Sequence, residues 1–191
     1  MDELVTYYKE IFTLLSSYAS RMLDGVTFRR SFVNVSELMA YAEKYYRKSV
    51  KRMTNYPDLI ISVDKEYTVV GDEILLRFMF ENLIDEALRY NGGGEISLYA
   101  GTEDGFARFD FVDRRRNYTQ QELNLLFYPD SAKVKRSDNG DVLSGAEYLI
   151  CIQIIRDHDE FAGRRGCRIN AKVMDDGKGF SVWFTVPLKN S

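Results

Sequence analysis

Apolar residues recur along the chain at two spacings, and the switch between them divides it into helices and pairs of strands. The first run, Leu4, Tyr8, Ile11, Leu15, Tyr18 and Met22, steps alternately by four and three, which is the seam of a helix that meets another helix. Asp24-Gly25 ends it. A second helix starts at Asn34 or Ser36, where Asn34-Val35-Ser36-Glu37 reads as a capping box, and repeats Leu38, Met39, Ala42, Tyr45, Tyr46, Val50 and Met53 on one side, with Lys44, Arg47, Lys48 and Lys51 on the other. Residues 59–63 and 67–70 alternate as strands, and the polar turn Asp64-Lys65-Glu66 between them predicts a hairpin. Residues 72–90 return to helical spacing through Ile74, Leu75, Phe78, Met79, Leu83, Ala87 and Leu88, and stop at Asn91-Gly92-Gly93-Gly94. Strands follow at 95–99 and 106–112, then a short helix at 120–127, a charged loop to about 144, a helix at 146–157, and a final hairpin of 167–173 with 180–186.

Helices that come in blocks with strand pairs predict a two-layer α/β sandwich, a mixed sheet with helices on one face, rather than a doubly wound parallel sheet. The first helix stands apart, because a second copy of itself satisfies its seam. The division this predicts is residues 1–25 as a projecting helix and 32–191 as the sandwich.

Composition narrows the partners. The chain has 191 residues, 45% of them hydrophobic, and a formal charge of -3, which gives no global attraction to nucleic acid or to an anionic membrane. No run approaches the ~18 apolar residues of a membrane span, and Met1-Asp2-Glu3 does not open a signal peptide, so a cytoplasmic location is expected. The two cysteines, Cys151 and Cys167, lie in apolar periodic segments and are expected as buried free thiols.

On the helix at 72–90, Asn82, Asp85, Glu86 and Arg89 share one face. Alone, such a stripe reads as a solvated surface. Its neighbours change that. Val70-Gly71-Asp72 precedes the helix, Glu81-Asn82-Leu83-Ile84-Asp85-Glu86-Ala87-Leu88-Arg89-Tyr90 forms its second half, Asp113 ends a strand, and Leu126-Phe127-Tyr128-Pro129 closes the short helix. Gly145 opens the helix that runs to His158, and Gly177-Lys178-Gly179-Phe180-Ser181-Val182-Trp183-Phe184-Thr185-Val186-Pro187-Leu188 ends the chain. From about Phe32 to Leu188 this series resembles the catalytic and ATP-binding domain of sensor histidine kinases, in the superfamily shared with gyrase, heat-shock ninety chaperones and mismatch-repair ATPases. The resemblance implies ATP and Mg²⁺ as ligands. It assigns Asn82, Glu86, Arg89 and Tyr90 to the asparagine box, Asp113 and Asn117 to the first glycine box, and Gly145 to the second. Glu86 stands where the family has its metal-ligating asparagine, Tyr90 where an aromatic stacks on adenine, and Asp113 where a carboxylate reads adenine. The first helix resembles the second helix of the dimerisation and phosphoacceptor domain. A homodimer through that helix, and a response-regulator or kinase partner, are therefore implied.

The departures from the family's pattern are chemical. Glu86 brings a negative charge toward a triphosphate, and like charges about 4 Å apart repel by about 4 kcal/mol at an effective dielectric near 20. Asp-Asn-Gly-x-Gly becomes Asp113-Arg114-Arg115-Arg116-Asn117, which removes the glycines that let backbone approach a ligand. Glu147 sits where a helix N-terminus receives phosphate. Rescue by side-chain phosphate contacts from Arg114, Arg115, Arg116, Lys133, Lys135 and Arg136 competes with simple solvation of those charges. His158, the only histidine, falls late on a helix and does not match a phosphoacceptor. The expectation is a pseudo-ATPase signalling module that binds Mg-ATP no tighter than about millimolar. The alternative is an active domain that phosphorylates a histidine outside this sequence. Residues 114–144 are expected to be the least ordered.

Overall fold

The computed structural model describes residues 9, 12, 13, 15, 16, 18–20, 28–90, 92–127 and 146–189. Strand β1 (Ser31–Asn34) leads into helix α1 (Val35–Val50), whose N-cap Asn34 accepts the Glu37 amide at 3.1 Å. The α1 stripe of Val35, Leu38, Met39, Ala42, Tyr46 and Val50 is buried. Strands β2 (Asp58–Val63) and β3 (Thr68–Gly71) follow, then helix α2 (Glu73–Leu88). Asp72 caps α2 by accepting the amides of Ile74 and Leu75 at 3.0 and 3.2 Å. The chain continues through β4 (Glu95–Glu103), β5 (Phe106–Asp113), α3 (Gln120–Phe127), α4 (Ala146–Phe161), β6 (Ile169–Val173) and β7 (Phe180–Pro187).

The main sheet has the order β2-β4-β5-β7-β6, parallel between β2 and β4 and antiparallel elsewhere, so it is mixed as the block pattern predicts. The predicted hairpin of 59–63 with 67–70 does not form. β2 pairs with β4, and β3 pairs antiparallel with β1 in a separate two-stranded sheet. Burial explains this. Val69, Val70 and Gly71 are buried in succession, which a strand with one solvated face does not permit, and β3 finds cover under Leu188, to which Val69 is bridged.

The core lies between sheet and helices. Phe109 of β5 and Phe184 of β7 stack at 4.8 Å, and Phe80 of α2 sits 5.6 and 5.7 Å from them. Helix α2 contacts both α1 and α4 and is buried on most of its circumference, so polar residues on it are held inside the domain. Gly71 is where the chain needs the space of a missing side chain, since a Cβ there would lie 2.8 Å from Nε2 of His158. Cys151 is buried and Cys167 half-buried, both as free thiols.

The seam of the first helix divides. Tyr18 donates its hydroxyl to Asp157 of the same chain, whereas Leu15 is 51% exposed. Leu4, Tyr8, Ile11 and Met22 lie outside the described residues. No helix among the described residues is long and apolar enough to cross a membrane.

Candidate functional site

The alternation of β5 turns Ala107, Phe109, Phe111 and Asp113 toward the helices, so the strand's last inward residue is a carboxylate with no exposed surface. A buried carboxylate requires donors. The residues just beyond the strand supply them. Oδ1 of Asp113 accepts from the Arg115 amide at 2.9 Å and from Arg115 Nε at 3.0 Å, and Oδ2 accepts from Arg115 Nη2 at 2.8 Å and Arg116 Nε at 2.9 Å.

The four polar residues that share a face of α2 divide between surface and interior. Asp85 and Arg89 are exposed, but Asn82 and Glu86 are buried, because α1, α4 and the sheet enclose that side. Both oxygens of Glu86 accept from Arg116, from Nη1 and Nη2 at 2.7 Å each. Burial, together with the nearby Glu86 carboxylate, holds the phenol of Tyr148 on α4 well above its ordinary range. The Arg116 guanidinium lies 4.2 Å from the centre of the Tyr90 ring, 5.0 Å from that of Phe180 and 5.9 Å from that of Tyr118. Burial disfavours the Arg116 cation, but the adjoining Glu86 carboxylate more than offsets it, and the guanidinium is held well above its ordinary range. Two carboxylates meet two guanidiniums, and the four formal charges cancel.

Arg115 has a second task. Its Nη2 donates to the carbonyl of Ala87 at 2.8 Å and its Nη1 to that of Tyr90 at 3.3 Å, satisfying the end of α2. Gly179 brings the β6–β7 turn against this loop. With φ of 88° it has no room for a side chain, since a Cβ would stand 2.4 Å from the Asp113 carbonyl oxygen. Its amide donates to Oδ1 of Asn117 at 3.0 Å.

The structure therefore brings Glu86, Tyr90 and Asp113 together and leaves Asn82, Arg89 and Asn117 aside. Asn82 donates its amide to Phe78 O at 2.8 Å on its own helix. Arg89 pairs with the buried Glu147 in the first turn of α4, which places that carboxylate beside a cation. Asn117 ties the loop to the β6–β7 turn. Gly145 and the basic residues Lys133, Lys135 and Arg136 lie outside the described residues, as does the charged loop itself. The part of the expected mobile stretch that is described, from Arg114 to Phe127, is anchored by these ion pairs and by buried Leu123, Leu126 and Phe127.

Arg115 and Arg116 are buried partners within the domain, with side chains 10% and 9% exposed. The available signal was the pair of acids, one on a helix rich in apolar residues and one at an inward strand position, for which a burial argument requires cations. Tyr118, Tyr148 and Phe180 complete the surroundings and carried no polar pattern to mark them.

Adenine and Mg²⁺ do not fit these residues as they stand. The carboxylate that the resemblance gives to adenine has both oxygens taken by arginine donors. The carboxylate given to the metal has both taken by Arg116, and the same guanidinium covers the ring given to stacking.

Comparison with known proteins agrees with this fold. Residues 71–190 match the family described as histidine kinase-, DNA gyrase B-, and HSP90-like ATPase, and the chain belongs to that family. It is 30% identical over 124 residues to the signal transduction histidine-protein kinase BaeS of Escherichia coli strain K12, an alignment covering 63% of this chain and 24% of that one. The chain thus spans about a quarter of that relative's length. The catalytic domain of the histidine kinase ThkA superposes with a TM-score of 0.64 at 18% identity, covering 83% of this chain and 95% of that one. ThkA in complex with the response regulator TrrA gives 0.69 at 17% identity over 96% of this chain and 48% of that one. The chain is an ATPase-type domain of that family, with the mixed α/β architecture seen in histidine kinase catalytic domains.

Proposed function

We propose that this chain is a pseudo-ATPase module of a sensor histidine kinase, one that transmits a conformational state or docks a partner without handling nucleotide. One observation carries the reading. Arg116 simultaneously engages Glu86, Asp113 and Tyr90, the three positions that the resemblance gives to metal, adenine amine and adenine ring. A nucleotide must displace a bidentate, desolvated ion pair before it makes any contact, and it must then face Glu86 with a polyphosphate.

The other assignments follow the family. The first helix, with Leu15 exposed, serves a homodimer, and the partner is a response regulator of the kind ThkA binds. The module works in the cytoplasm as part of a longer kinase. Calorimetric titration of the 191-residue chain with ATP, with Mg²⁺ and with a chelator, tests the proposal. The expected dissociation constant is about millimolar or weaker, equivalent to roughly -4 kcal/mol. Micromolar affinity would instead establish the active-domain reading.

A further inference from the structure

Resting on that reading, we propose that the pocket walled by Glu86, Asp113, Tyr90, Tyr118 and Phe180 is a guanidinium-binding site, with Arg116 as the ligand this chain supplies to itself. The chemistry of the walls is that of cation recognition. Glu86 takes the two terminal nitrogens of the guanidinium in parallel at 2.7 Å, and Asp113 takes Nε on the adjoining edge at 2.9 Å. The face of the planar group is covered by the Tyr90 ring at 4.2 Å, with Phe180 and Tyr118 at 5.0 and 5.9 Å. Two carboxylates at fixed angles and aromatic faces match a flat, delocalised fork. An ammonium is a point charge and fits only part of this arrangement.

Charge makes the selectivity one-sided. Without the Arg116 side chain, Asp113 keeps Arg115 as its partner while Glu86 loses both of its arginine bonds, leaving a buried excess of one negative charge that attracts a cation and repels a polyphosphate. Arg116 is three residues beyond Asp113, so the loop after β5 delivers the ligand. Emptied of that side chain, the same walls would take a guanidinium from another molecule, either an arginine side chain or a free guanidine.

The test uses the 191-residue chain carrying Arg116→Ala, melted in the presence of methylguanidinium, N-acetyl-arginine amide, methylammonium or Mg-ATP. Methylguanidinium should raise the melting temperature of the variant in a saturable way and leave the wild type unchanged. Methylammonium should act about tenfold more weakly, having lost the fork and the stack. Stronger stabilisation by N-acetyl-arginine amide than by methylguanidinium would assign a side chain as the external ligand, and the reverse order a free guanidine. If the variant is unfolded, methylguanidinium should restore its helical circular dichroism where methylammonium does not. Equal effects of the two cations, equal effects on variant and wild type, or no effect on either melting or refolding overturns the proposal. Tight Mg-ATP binding by the wild type sinks the pseudo-ATPase reading, whereas indifference of the variant to guanidinium sinks only this one.

Discussion

Removing the Arg116 side chain should be the most destabilising single change in the site. Arg116→Ala leaves Glu86, 5% exposed at its side chain, without either of its two arginine bonds, and takes one of four donors from the fully buried Asp113. Breaking a buried pair by deleting one partner costs about 3–5 kcal/mol, because the remaining charge keeps its desolvation penalty. At about 2–4 °C per kcal/mol for a domain of this size, that is a fall of roughly 6–20 °C in Tm. Denaturant melts of the wild type, Arg116→Ala, Glu86→Gln and the double variant give the pairwise coupling directly. The double variant should be less destabilised than the two single changes added together, by about 2 kcal/mol or more, since the second removal relieves the charge stranded by the first. Arg116→Met with Glu86→Leu should fare better still, as a hydrophobic replacement of similar volume. An Arg116→Ala variant within about 1 kcal/mol of wild type, with additive singles, would mean that the guanidinium is solvated and that the pocket is not filled as described.

Gly179→Ala should destabilise by more than about 2 kcal/mol in the same melts, because the new Cβ meets the Asp113 carbonyl oxygen at 2.4 Å on a backbone with φ of 88°; a neutral result would place the β6–β7 turn away from the Asp113 loop. His158 is buried and neutral, with Nε2 accepting the Asp72 amide at 3.1 Å and Nδ1 donating to the Ile154 carbonyl at 2.8 Å, and burial lowers its pKa below 6.5. Its contribution is therefore complete above about pH 6.5 and is lost as the pH falls toward the lowered folded value, so His158→Gln should flatten the stability profile in that window and an unchanged profile would assign the acid sensitivity to other groups. Leu15→Glu should shift sedimentation toward monomer if the exposed part of the first helix joins two copies; an unchanged mass means that the helix serves its own domain, as Tyr18 does with Asp157.

Local pattern made the elements readable and left their partners open. The cap at Asn34, the stripe of α2 from Leu75 to Leu88 and the alternation of β5 are short-range features that appear where their residues predict, while Ile74, expected in that stripe, lies exposed in the first turn beside the cap Asp72. Pairing of β2 is not short-range. Asp64-Lys65-Glu66 looks like a hairpin turn, but the successive burial of Val69 and Val70 sends β3 to β1, and only the assembled core makes that preference visible. The edge of β6 shows the same limit, since Gln120 of α3 covers it by donating to Ala171 O and accepting from Val173 N, two contacts that no spacing announces. In the site, Glu86, Tyr90 and Asp113 were readable as a constellation through the family's order of motifs. Their occupant was not, because Arg116 lies 30 residues from Glu86 in sequence and a run of three arginines in a loop ordinarily stays in water.

Direct observation of the Arg116 guanidinium during a nucleotide titration tests self-occupation of the site most closely. In nitrogen-resolved NMR of the wild-type chain, its Nε–H, held by Asp113 and stacked on Tyr90, should give a resonance protected from solvent exchange. That resonance should stay in place as Mg-ATP is raised through the micromolar range, well below the dissociation constant of about millimolar or weaker. A resonance that exchanges freely with water, or one that moves saturably at micromolar Mg-ATP, would contradict the account and show that nucleotide takes the place assigned here to arginine.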